Sequence, residues 1–268
     1  MTTSHTLDIP GGTLHYEVRG SGPLLLVMGS PMAASYFAPL ADALAGDHTV
    51  VTHDPRGISA SKLDDPNGPS TPELRADDVA ALLDALGAES ADLFGTSGGA
   101  VTVLAFAERH PGRARTLVAH EPPLLELLPA AEAAEQRAAV DEMVEIFHRD
   151  GLGAAMAKFM GNAGFDDDAE GPPPSDNPEQ DYADGCRMFT AEIRPTTRHL
   201  PDLDAIARGV GRVVVGVGVE SGDLIVSRTS EILAEKLGTT VTDFPGDHGG
   251  FIPQPIEFAD ALRKALAG

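Results

Sequence analysis

Short apolar runs alternate with helical patterns along this 268-residue chain, and no other feature constrains its fold as strongly. Leu24 to Met28 reads LLLVM, too short for a helix and apolar at every position, as in a strand covered on both faces. Leu14 to Val18 reads as an earlier strand. Thr49 to Thr52 reads as a strand ending at His53 and Asp54, and Ala91 to Phe94 and Thr116 to Ala119 as further strands. Helical patterns lie between them. Residues 36–45 fit one helix. Thr71-Pro72 opens another, which carries Leu74, Val79, Leu82, Leu83 and Leu86 at helical spacing before Gly87 stops it. Residues 99–109 read as a third. After residue 201 the alternation resumes, with strands at Val213 to Val217 and Val241 to Phe244 and helices over 226–237 and 256–266. Strand–helix–strand order predicts an α/β fold with a mostly parallel, doubly wound sheet.

The middle of the chain breaks this pattern. Residues 122–201 contain no convincing strand. Val140, Met143, Val144, Phe147, Leu152, Met156, Phe159 and Met160 recur at helical spacings across residues 131–160. Residues 164–180, rich in Pro, Gly and acids, read as an exposed loop. The organisation expected is therefore one core domain, 1–121 and 202–268, interrupted by a helical insertion, 122–201.

The chemistry concentrates at Gly95-Thr96-Ser97-Gly98-Gly99, between a strand and a helix. In G-x-S-x-G the small residues permit a sharp strand-to-helix turn. Such a turn raises the serine hydroxyl at the C-terminal edge of the sheet and aims N–H groups and the positive helix end at the same point. Serine needs a base to act as a nucleophile at neutral pH. Of nine histidines, His248 is the best placed. It lies in the glycine-rich loop PGDHGGF between the last strand and the last helix, on the Ser97 side of the sheet.

Together LLLVMGSP (24–31), DPRGISAS (54–61), GTSGG (95–99) and PGDHGGF (245–251) resemble the α/β-hydrolase superfamily across nearly the whole chain. The resemblance implies that fold, with the insertion as a helical cap. It implies Ser97 as nucleophile, His248 as base, and backbone N–H groups of Ser30 and Gly98 as the oxyanion hole. Met28 stands where the family's H-G-x-P pattern has histidine. The acid that orients His248 has two family positions. After the strand Val213 to Val217 the chain offers Asp223 and Glu220, each displaced from the usual spacing. After the strand that follows the nucleophile helix it offers His120-Glu121-Pro122-Pro123, similar to the H-E-x-P stretch of zearalenone-type lactone hydrolases. Glu121 is the preferred acid and Asp223 the alternative. In the same family Asp54 and Arg56 of DPRG mainly brace loops.

The activity implied is hydrolysis of a moderately hydrophobic carboxylic ester or lactone through an acyl-enzyme. Carbon–carbon bond or thioester cleavage on the same residues, or ligand binding without turnover, are the alternatives. Met143, Phe147, Met156, Phe159, Met160, Met188 and Phe189 are candidates to line an apolar pocket. A formal net charge of -22 disfavours nucleic acid and anionic membranes as partners. The expected partner is a small-molecule substrate, with the protein a monomer or homodimer. The single cysteine, Cys186, excludes an internal disulfide and, with no apolar N-terminal stretch, suits a soluble cytoplasmic protein. Asp166-Asp167-Asp168 lacks the alternate spacing of a calcium loop, and no zinc or dinucleotide pattern occurs, so no cofactor or metal is expected.

Overall fold

The computed structural model describes residues 2–162 and 177–268, and its nine strands form one sheet. In chain order they are β1 (Thr2–Ile9), β2 (Gly12–Gly20), β3 (Leu24–Met28), β4 (Thr49–His53), β5 (Lys62–Leu63), β6 (Ala91–Thr96), β7 (Ala114–His120), β8 (Val210–Gly218) and β9 (Val241–Phe244). Their spatial order is β1-β2-β4-β3-β6-β7-β8-β9, with β5 beside β2. β1, β2 and β5 pair antiparallel, and every pairing from β4 to β9 is parallel. The helices are α1 (Ala38–Leu44), α2 (Pro72–Ala85), α3 (Gly98–Arg109), α4 (Ala130–Asp150), α5 (Leu152–Asn162), α6 (Pro178–Arg187), α7 (Ile193–Thr197), α8 (Leu203–Gly209), α9 (Ile225–Lys236) and α10 (Pro255–Ala267).

Successive side chains of a strand point to opposite faces, so a wholly apolar run needs cover on both. Leu26 and Met28 join Leu93 and Leu117 in a core beneath α2, α3, α8 and α9, where Val79, Val103, Ile206 and Leu233 meet them. Leu25 and Val27 face the other way, with Phe94, Val118 and Phe244, against Leu40 of α1 and Phe258 and Leu262 of α10. Each fully buried Leu or Phe side chain stabilises the fold by roughly 1.5–3 kcal/mol. Thr71 caps α2 by accepting from the Leu74 N–H at 3.4 Å, and Pro72 occupies the first turn.

Between β7 and β8 the described residues form helices and no strand. Leu125, Val140, Met143, Val144, Phe189 and Ile193 build a third apolar cluster there. The pattern over 131–160 resolves into two helices, because Gly151, at φ 88°, ends α4 before α5 begins. Residues 178–180, read from sequence as the end of a loop, are instead the first turn of α6. Asn177 caps that helix by accepting from the Gln180 N–H, and Pro178 suits its opening. The rest of that loop segment, 164–176 with Asp166-Asp167-Asp168, lies outside the described residues. β1 has no counterpart in the sequence pattern. Its side chains are almost all exposed, so no alternation marks it, and pairing with β2 defines it.

The parallel topology sets several loops on one edge of the sheet. Ser30 follows β3, Ser97 follows β6, Glu121 follows β7, Asp223 follows β8 and His248 follows β9. The aromatic group beneath this edge is tight: Phe258 lies 4.9 Å from Phe244 and 5.6 Å from Phe94, ring centre to ring centre. Phe258→Ala should therefore lower unfolding free energy by about 3–5 kcal/mol, measured by urea denaturation, with the loss arising from the cavity left against these rings.

Candidate active site

Ser97 ends the β6 turn at φ 55° and ψ −125°, a left-handed backbone conformation that costs a non-glycine residue about 1–3 kcal/mol. The surroundings hold it there. The Ser97 N–H donates to the His120 carbonyl at 3.0 Å, and the Ala100 N–H donates to the Ser97 carbonyl at 3.0 Å. The flanking glycines are needed for space. A Cβ on Gly99 would lie 2.5 Å from the Met28 carbonyl oxygen, and one on Gly98 would lie 2.5 Å from that of Ser30. The Ser97 turn and the Ser30 loop are thus packed main chain against main chain.

His248 comes from the far end of the chain and meets Glu121. Its Nδ1 lies 2.6 Å from Glu121 Oε2. Glu121 is fully buried, at φ 50°. Its second oxygen, Oε1, accepts from the Gly218 N–H at 3.0 Å and from the Ser227 hydroxyl at 3.4 Å. Burial pushes this carboxyl up. The hydrogen bond from His248 and the neighbouring His120 and His248 rings outweigh it and bring the pKa to about 2. Glu121 is therefore a carboxylate at neutral pH and only accepts. His248 Nδ1 thus carries the hydrogen of this bond.

His120, the last residue of β7, lies behind this pair. It is wholly buried, its Nδ1 is 2.9 Å from the Thr96 hydroxyl, and its ring stacks on His248 at 6.5 Å between centroids. Burial lowers its pKa to about 4 against the opposing pull of Glu121. His53, at the end of β4, is held to about 4 by burial as well. Both rings are neutral at pH 7 and place no second positive charge beside His248.

Ser97, His248, Ser30 and Gly98 all line one cavity of about 550 Å³, and the helical segment between β7 and β8 supplies much of its wall. Of the seven apolar candidates there, Met143, Phe159 and Met188 line the cavity. Phe147, Met156, Met160 and Phe189 do not line it; Phe147, Met156 and Phe189 pack in the apolar cluster of those helices, to which Met143, Phe159 and Met188 also belong. Asp223 lines the cavity but is exposed, and Glu220 is exposed beside it; Glu121 is the carboxylate on the His248 ring. Asp54 accepts from the Ala34 N–H at 2.8 Å and the Ala60 N–H at 3.0 Å, and Arg56 forms two hydrogen bonds to Asp78, so the DPRG segment braces loops. Several lining residues had no sequence signal, Glu192 among them. Glu192, in the π-helical turn Met188–Glu192, is buried and accepts from the Ser30 hydroxyl at 2.6 Å. Nothing in MFTAE marks a carboxylate that tertiary packing will bury. Among the described residues no cluster of three or more His, Cys, Asp or Glu is arranged for a metal, and no helix is long and apolar enough to cross a membrane.

The two buried histidines set an acid limit on stability. The folded state holds each ring below its ordinary value near 6.5, so their contribution is complete above that pH and is lost as pH falls through about 4. Between those limits the unfolded chain binds more protons. The urea unfolding midpoint should accordingly fall steadily from pH 6.5 to 4, and His53→Leu should flatten that slope by about one proton.

Known proteins resemble the chain over nearly its whole length. Residues 22–186 match a family model described as alpha/beta hydrolase fold. The chain is 32% identical over 266 residues to the uncharacterized hydrolase YraK of Bacillus subtilis (strain 168), covering 97% of this chain and 95% of that one. It is 26% identical over 267 residues to the zearalenone hydrolase of Bionectria ochroleuca, covering 97% and 96%. Among solved structures it shares the fold of the esterase EaEST from Exiguobacterium antarcticum, with a TM-score of 0.77, 18% identity and 100% coverage of both chains.

Proposed function

The chain belongs to the α/β-hydrolase family, and on that premise we propose that it hydrolyses a moderately hydrophobic carboxylic ester or lactone through an acyl-enzyme on Ser97. One observation carries the proposal. A buried carboxylate holds His248 Nδ1 at 2.6 Å, and the ring so held lines the same cavity as Ser97. In this reading His248 Nε2 takes the Ser97 proton as Oγ attacks the carbonyl carbon. Glu121 holds the ring and stabilises its charged form. The proton then passes to the departing alkoxide. A water, activated by the same His248, releases the acid and regenerates Ser97.

The negative charge that develops on the carbonyl oxygen falls to the main-chain N–H groups of Ser30 and Gly98. Their residues are packed against each other at the turn, and each donor of this kind lowers the barrier by about 3 kcal/mol. The positive end of α3, which starts at Gly98, adds to that field. Helices α4 to α7 act as a cap whose apolar side chains shield the reaction from water. The mostly apolar wall, with Val140, Met143 and Phe159, fits a hydrophobic ester or lactone. The likeness to a zearalenone hydrolase is in keeping with a lactone.

Steady-state kinetics on aryl esters and lactones test the assignment. Ser97→Ala should reduce kcat by at least about 10⁴-fold, and Glu121→Ala by about 10³–10⁴-fold, with the fold retained. Asp223→Ala should change kcat by less than about 10-fold, since an exposed carboxylate at the cavity does not hold the ring. The reverse order for Glu121 and Asp223 would move the acid to the loop after β8.

A further inference from the structure

A run of polar side chains connects the two residues assigned to the oxyanion hole. It begins at Ser30, whose hydroxyl donates to Glu192 Oε2 at 2.6 Å. The same oxygen lies 3.8 Å from Arg75 Nη1. Arg75 Nε donates to Thr102 Oγ1 at 2.9 Å, and the Thr102 hydroxyl donates to the Gly98 carbonyl at 3.0 Å. Glu192, Arg75 and Thr102 are each 2% exposed, so water does not compete for these bonds. Arg75 is fixed further: Nη1 donates to the Ser70 carbonyl at 2.8 Å and Nη2 to Thr196 Oγ1 at 2.9 Å. Glu192 is held by the Ser70 hydroxyl as well, and Arg187 adds positive charge beside it.

The reaction above uses none of these three side chains, and stability does not call for the charged pair. Apolar side chains of similar volume often replace a buried ion pair without loss. What such a pair supplies is position. We propose that Glu192 and Arg75 are positioning residues that keep the Ser30 and Gly98 N–H groups aimed at the developing oxyanion. This rests on the ester or lactone reading and adds to it the part that holds the donors.

Ser30 needs such support more than Gly98 does. Gly98 opens α3 and shares the order of that helix. Ser30 lies outside any strand or helix, and among the described residues its N–H donates to no main-chain carbonyl. No ladder of main-chain bonds therefore aims that N–H, and the hydroxyl bond to Glu192 fixes the residue instead. The two supports come from different parts of the chain. Glu192 stands in the turn between α6 and α7, and Arg75 stands on α2. Losing one oxyanion donor lowers kcat by about 10²–10³-fold, and a displacement of about 1 Å can cost about 10²-fold.

Kinetics on p-nitrophenyl butanoate and its thiono analogue, in which sulfur replaces the carbonyl oxygen, test the role. Sulfur is a weak acceptor, so well-aimed donors favour the oxygen ester. The variants are Ser30→Ala, Glu192→Gln, Glu192→Ala and the pair Arg75→Met with Glu192→Leu. Ser30→Ala and Glu192→Ala should lower kcat on the oxygen ester by about 10–100-fold and change KM by less than about 3-fold. The oxygen-to-sulfur ratio of kcat should fall with it, by about 10-fold or more. Glu192→Gln, whose amide oxygen still accepts from Ser30, should keep most of the ratio. The paired variant strands no charge, so it should unfold in urea near the wild-type midpoint and still lose the ratio. A merely structural role would reduce the amount of active protein, slow both esters equally and leave the ratio intact. That result, or a full ratio in the paired variant, would overturn the role, while wild-type turnover leaves the ester reading in place. A wild type that hydrolyses both esters at similar rates would overturn it too. One that hydrolyses neither would sink both claims. If Glu192→Ala or the paired variant does not fold, Ser30→Ala decides, because it removes the link and leaves both charges paired.

Discussion

A carboxylate with no exposed surface sits 2.6 Å from an imidazole contributed 127 residues later in the chain. Burying a charge is strongly unfavourable unless its partners are in place. Glu121 is therefore a constraint on everything around it. The Gly218 N–H and the Ser227 hydroxyl must reach its other oxygen, which ties the end of β8 and the start of α9 to the end of β7. His248 must reach the first, which ties the loop after β9 to the same point. The Glu220 N–H donates to the Gly246 carbonyl at 2.9 Å and joins those two loops directly. Ser97 enters through the same strand end, since its N–H donates to the His120 carbonyl. Three distant segments thus converge because one buried charge requires them.

A second set of buried charges lies on the other side of the cavity. Arg75 and Glu192 are each about 2% exposed, and Arg56 and Asp78 form a buried two-bond pair nearby. Arg187 of α6 donates to the carbonyls of Arg56, Pro66 and Gly68. These contacts join the helices between β7 and β8 to the loops after β4 and β5, and the Ser30 hydroxyl bond to Glu192 joins them to the loop after β3. Such pairs contribute little net stability, because desolvation offsets most of their attraction. What they provide is position: removing one partner strands the other, so the Ser30 loop and the helices above it are held in one arrangement. The cavity wall is therefore fixed by polar contacts, while its lining stays largely apolar.

Much of this arrangement is legible in the amino-acid order. Glycine at 95, 98 and 99 announces the Ser97 turn, because nothing larger fits where main chains touch. Leu24 to Met28 announces a strand covered on both faces. His248 is marked by its glycine-rich loop and its place after the last strand. Glu121 is different. Only the likeness of HEPP to a known stretch singled it out from Asp223 and Glu220, since spacing alone does not reveal which carboxylate will be buried. β1 escaped notice because its exposed side chains carry no alternation, and its edge position is set by β2. The break at Gly151 was hidden by apolar spacing that continues across it. Met143, Phe159 and Met188 pack in the same cluster as Phe147, Met156 and Phe189 and differ from them in also reaching the cavity, which composition does not reveal. Glu192 and Arg75 are legible only once the fold has buried them.

The central claim is that Ser97 becomes covalently acylated while His248, steadied by Glu121, moves its proton. Rapid quenching after mixing with an excess of a p-nitrophenyl ester, followed by peptide mass spectrometry, tests this most directly. The account predicts a burst of p-nitrophenol and an acyl mass increment on the peptide holding Ser97, on that residue, which disappears in Ser97→Ala. Steady turnover of the ester with no acylated Ser97, or an adduct on another residue that persists in Ser97→Ala, would contradict it.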